Sequence, residues 1–160
     1  MESLRVSDVM NTSVISISED APLSEAIRLM AEHSISGLVV VDHSGQMVGI
    51  ISQTDLLRSW REGSDYASVM NSPVSRYMTR DVISCAPHKS LSYAMQLLGE
   101  HDIHRLVVCE PHYGGRFVTD RMMPVGILTQ TDIVRALTAQ LGATVAAGEA
   151  PLAEDAPAGS

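Results

Sequence analysis

Val48-Gly49-Ile50-Ile51-Ser52-Gln53-Thr54-Asp55 and Val125-Gly126-Ile127-Leu128-Thr129-Gln130-Thr131-Asp132 are one motif written twice. In each, an apolar, β-branched run predicts a strand. A hydroxyl residue followed three positions later by a carboxylate predicts the start of a helix directly after it. Upstream, the likeness continues in a single register. Val6-Ser7-Asp8-Val9-Met10 returns as Val74-Ser75-Arg76-Tyr77-Met78, and Val14-Ile15-Ser16 as Val82-Ile83-Ser84. Leu23-Ser24-Glu25-Ala26 returns as Leu91-Ser92-Tyr93-Ala94, and Leu38-Val39-Val40 as Leu106-Val107-Val108, all at a shift of 68. The closing motif is shifted by 77, so the second copy carries nine extra residues, within residues 110–123, before its last strand. Chance does not hold one register across so many segments, and the chain is a tandem duplication.

Each copy reads strand, helix, strand, strand, helix. In the first, residues 14–17 form a short strand, Pro22 opens a helix, and Gly37 ends it. Leu38-Val39-Val40-Val41 is a buried strand, Asp42-His43-Ser44-Gly45 a turn, and residues 47–51 the return arm of a hairpin. A second helix covers residues 53–60; the second copy places its helices at residues 91–101 and 130–141. The expected division is repeat one at 1–62, a polar linker at 63–73, repeat two at 74–141, and a disordered Ala/Gly/Pro tail at 142–160. One copy is too small to cover both faces of its sheet, whereas two related by a pseudo-twofold cover each other. The expected fold is therefore one α/β (α+β) module of two β-α-β-β-α repeats.

The composition narrows the function. Of 160 residues, 45% are apolar and 19% charged, enough for a packed core. The net charge is −8, with Lys89 the sole lysine, which argues against a nucleic-acid binder or attachment to an anionic membrane. Cys85 and Cys109 lie in apolar stretches and read as reduced core thiols. The opening Met1-Glu2-Ser3-Leu4-Arg5 lacks the pattern of a secretory signal, and no apolar run is long enough to span a bilayer. The expectation is a cytoplasmic protein. No nucleophile elbow, phosphate-binding Gly-rich loop or zinc spacing is present, so the chain is not expected to be an enzyme. His101 and His104 have an H-x-x-H spacing, but the second falls where a strand begins, and no metal site is expected.

Ser52 with Asp55, and Thr129 with Asp132, admit two readings. The plainer one is a helix cap. The sharper one is a ligand site, in which a carboxylate at a helix start accepts from vicinal hydroxyls. The spacing does not separate the two.

Taken together, the segments from Val6 to Leu141 resemble a pair of CBS (cystathionine β-synthase) domains, also called a Bateman module. The resemblance implies a regulatory sensor binding an adenine nucleotide (AMP, ADP or ATP) or another adenosyl ligand between the copies, with no cofactor required. It also implies a homodimer that signals to a partner protein. Under it, Ser52, Asp55, Thr129 and Asp132 hold the ribose, and Ser13, Val14, Ile15, Asp81, Val82 and Ile83 touch the adenine. His104 and Arg105 reach the phosphates, where the first copy has Ser36 and Gly37. Arginine offers a planar fork of donors suited to phosphate. The cleft of Ser52 and Asp55 is accordingly expected to prefer a phosphorylated adenosine, and that of Thr129 and Asp132 a less charged ligand. The competing reading is a ligand-free homodimerisation scaffold. The insertion at 110–123 is either a plain solvent loop or a pair of arginines turned toward the cleft or a partner.

Overall fold

The computed structural model describes residues 4–61, 64–111 and 122–146. Its elements run α1 (Val6–Val9), β1 (Ser16–Ser18), α2 (Leu23–His33), β2 (Gly37–Val41), β3 (Met47–Ser52), α3 (Gln53–Ser59), α4 (Tyr66–Asn71) and a 3-10 turn at Val74–Arg76. There follow β4 (Ser84–Cys85), α5 (Leu91–Glu100), β5 (Arg105–Pro111), β6 (Met122–Thr129) and α6 (Gln130–Ala146). Two three-stranded sheets result, ordered β1-β2-β3 and β4-β5-β6, each with one parallel and one antiparallel pair. The duplication extends to irregularities: a register shift between Val40 and Val41 recurs between Val108 and Cys109.

Alternation along β2 and β5 explains why both read as unbroken apolar runs. Leu38 and Val40 face the first repeat's core with Leu23, Ala26 and Met30; Leu106 and Val108 face the second with Leu91, Ala94 and Leu98. The residues between, Val39, Val107 and Cys109, are fully buried where the two sheets meet. Each strand is thus covered on both faces.

The opening segment of each repeat is exchanged. Val6, in α1, packs with Leu91 and Leu128 of the second repeat, while Val74 and Met78 pack in the core of the first. Asn11 pairs with Ile127 and Thr79 with Ile50. These crossings require a glycine in each receiving strand. A Cβ on Gly49 would lie 2.8 Å from the Thr79 carbonyl oxygen and the Met78 sulfur, and one on Gly126 would collide with Met10.

Several expectations are corrected. The first strands begin later than residues 14 and 82, because Val14 N–H bonds to the Thr12 carbonyl and Val82 N–H to the Arg80 carbonyl, tightening both segments into turns. Gly37 does not end α2. Ser34 does, in the left-handed conformation (φ 51°), with Ile35 N–H donating to the Met30 carbonyl. Asp102 (φ 49°) does the same after α5. The expected linker contains α4, started by the Asp65 side chain accepting from Ser68 N–H and anchored by buried Val69. The second repeat's last helix passes Gly142 and reaches Ala146 rather than stopping at 141; one interior glycine costs only about 1 kcal/mol against a run of alanines. The insertion arginines and the tail beyond 146 lie outside the described residues. Among the described residues, no helix is long and apolar enough to cross a membrane.

Candidate functional site

Both motif ends are caps. Ser52 N–H and Oγ donate to Asp55 Oδ2 at 2.9 and 3.0 Å, and Asp55 N–H donates back to Ser52 Oγ. Thr129 N–H and Oγ1 donate to Asp132 Oδ2 at 3.0 and 2.8 Å, with the same return bond. Each carboxylate therefore spends one oxygen on its own helix.

The second oxygens differ. Asp55 Oδ1 accepts from Thr79 Oγ1 at 3.0 Å and lies 3.5 Å from the Arg58 guanidinium, and the residue is 3% exposed. Asp132 is only half-buried, and its Oδ1 has no partner among the described residues. Sequence reasoning misses Thr79, although the repeat register offers a signal: Thr79 matches Asn11, and both follow the closing methionine of the opening segment. Asn11 is used differently, its Oδ1 accepting from Ser13 N–H.

Two clefts lie between the repeats. The larger, about 640 Å³, brings Ser13 and Ile15 of the first repeat to Thr129 and Asp132 of the second. The smaller, about 310 Å³, brings Ser52 and Asp55 to Asp81, Val82 and Ile83. Both volumes fall in the range of small-molecule sites, roughly 300–1,000 Å³. Each opening turn thus serves the motif of the other repeat, as the segment exchange requires. Val14 does not line the larger cleft; it packs against the cluster between the sheets.

His104 and Arg105 line both clefts. Arg105 begins β5, its backbone paired with Thr129, and its guanidinium extends to Gly37 in the first repeat, where it fills the space that a Cβ would occupy. Its side chain is half-buried and makes no hydrogen bond or ion pair among the described residues. Burial pushes its pKa down, and the charge of Asp55 acts against that shift. The smaller cleft also holds Arg58 and three carboxylates, Asp55, Asp81 and Asp102; the larger holds one, Asp132. Among the described residues, no group of three or more His, Cys, Asp or Glu is placed to hold a metal ion.

Residues 6–62 and 74–139 each match the CBS domain model, the same division that the two sheets make. The chain belongs to the CBS domain family. It is similar to the CBS domain-containing protein YhcV of Bacillus subtilis, 33% identical over 66% of this chain and 72% of that one. It is also similar in structure to CBSX2 in complex with AMP, with a TM-score of 0.68 at 25% identity, over 87% of this chain and 99% of that one. The fold matches that of the CBS domain pair of MJ0100, solved with 5-methylthioadenosine and S-adenosyl-L-methionine, with a TM-score of 0.70 at 23% identity, over 86% and 98% of the two chains. Curated relatives include much longer proteins, of which this CBS pair spans as little as 23%.

Proposed function

We propose that this CBS pair is a non-catalytic regulatory module that takes an adenine nucleotide or related adenosyl ligand in the larger cleft. The observation that carries the reading is Asp132, whose Oδ1 has no partner among the described residues and which lines a cleft together with Arg105. An ionised carboxylate oxygen accepts from vicinal ribose hydroxyls without giving up the cap, which uses the other oxygen. Ser13 and Ile15 form the wall for the base, Thr129 flanks the sugar, and Arg105 with His104 meets the phosphate. This reverses the order expected from the placement of Arg105 in the sequence. The Ser52–Asp55 cleft is smaller, and its acidic corner is already engaged by Thr79 and Arg58. The AMP complex of CBSX2 supports the ligand class.

Binding in a groove built from both repeats favours whichever relative tilt fits the ligand best, and a partner protein that distinguishes the two tilts reads the signal. We place the module in the cytoplasm, as a homodimer.

Calorimetric titration with AMP, ADP, ATP and adenosine tests the proposal. Asp132→Asn keeps the shape of the cap while weakening its acceptor, and should lower AMP affinity at least tenfold; Asp55→Asn should lower it far less. Equal losses would reject the preference for the larger cleft, and no binding by the wild type would reject the sensor reading. A second reading, the ligand-free scaffold, draws on apolar side chains exposed on α3 and α6, namely Leu57, Val134 and Leu141. A scaffold would show no thermal shift with any of the four compounds and would remain dimeric on dilution.

A further inference from the structure

Arg105 and Gly37 occupy the same position in the two repeats, and the structure brings them face to face between the clefts. The first repeat has no side chain there, so the second repeat's guanidinium fills the shared space and borders both cavities. Its side-chain donors have no partner among the described residues, and among those residues no buried side-chain nitrogen or oxygen is left unsatisfied; the guanidinium is therefore accessible where the clefts meet it. A half-buried cation with unused donors is a standing site for an anion.

We propose that Arg105 is a single anion clamp exchanged between the two clefts, so that phosphate bound in one weakens phosphate binding in the other. The proposal rests on the nucleotide reading above and adds a coupling to it. Among the described residues, Arg105 is the one arginine or lysine lining the larger cleft. In the smaller cleft, Arg58 already faces Asp55, and Asp81 and Asp102 add negative charge, so a phosphate there needs Arg105 as well. A guanidinium makes its strongest contact with a phosphate through two parallel N–H donors, and its single positive charge, once neutralised by one phosphate, has little left to offer a second. The first phosphorylated ligand draws Arg105 to its side, and the second cleft is left with a carboxylate-rich wall. An uncharged nucleoside makes no demand on Arg105, so two nucleosides do not compete in this way. The coupling is reciprocal, as linkage demands.

The test is calorimetric titration of the full chain with AMP and, separately, with adenosine. In the wild type, the ratio of first to second AMP affinity should exceed the corresponding ratio for adenosine by about tenfold or more. Arg105→Gln should weaken the first AMP and bring the two ratios together. Disabling the larger cleft with Asp132→Asn should release the clamp, so that AMP enters the smaller cleft about tenfold more tightly than the second AMP enters the wild type. Adding Arg105→Gln should abolish that gain. A smaller-cleft affinity unchanged by Asp132→Asn, or an AMP ratio preserved in Arg105→Gln, overturns the exchange while leaving the nucleotide site standing. Failure of both AMP and adenosine to bind the wild type overturns the nucleotide reading, and the exchange falls with it.

Discussion

Asp55 and Asp132 occupy equivalent positions and make equivalent caps, yet Thr79 and Arg58 engage the outer oxygen of Asp55, while that of Asp132 has no partner among the described residues. Thr79 Oγ1 donates to the buried Asp55 and gives its outer oxygen a partner. Thr79→Val removes that donor while nearly conserving volume. A buried carboxylate deprived of a donor costs about 1–3 kcal/mol, so the midpoint of urea unfolding should fall accordingly. An unchanged midpoint would show that the bond contributes nothing. Cys109 offers a pH test at the same scale. Burial, with a smaller contribution from Cys85, pushes its thiol up to about 11 against an ordinary 9.0, so the folded chain favours the neutral form. The unfolded thiol ionises first, and stability should decline between pH 9 and 11, by on the order of 2 kcal/mol in all. Cys109→Ala should flatten that part of the curve relative to wild type; an identical slope in both would mean other groups set it. The caps are legible in the sequence because capping depends on residues three apart. Thr79 is not, because its contact with Asp55 spans 24 positions and depends on which repeat its segment joins.

Elements are legible where they follow local chemistry and hidden where they follow packing. The repeat register and the apolar runs of β2 and β5 are enough to disclose both sheets from the sequence. The exchange of the opening segments does not show there, because Val6 and Val74 lie in equivalent sequence surroundings whichever repeat covers them. The residues that mark the exchange, Gly49 and Gly126, read as ordinary strand glycines until the crossing chain is seen. The exchange has a measurable consequence. Val6 is fully buried, so Val6→Ala should cost about 2 kcal/mol through lost burial and the cavity left behind. Because that cavity lies against Leu91 and Leu128, hydrogen-exchange protection should fall first in α5 and β6, not in the neighbouring α2. Loss centred on α2 would place α1 on the wrong repeat.

At the scale of the whole molecule, the apolar side chains of the helices divide between the cores and the surface. Ala26, Met30, Ala94, Leu98 and Ile133 are spent on the cores, whereas Leu57 at 77% and Trp60 at 50% exposure remain outside, Trp60 set edge-on to Tyr66. We take the patch of Leu57, Trp60 and Tyr66 as the self-association face of the homodimer proposed above. Two copies carrying −8 each repel, so self-association through this face should tighten as salt screens the charge, opposite to a contact held by ion pairs. Sedimentation of the wild type should show a dimer that strengthens from low to moderate ionic strength. Leu57→Glu, at a position that contributes little to either core, should yield a folded monomer. A wild-type monomer at every salt concentration, or a dimer indifferent to Leu57→Glu, would assign the α3 face to something other than self-association.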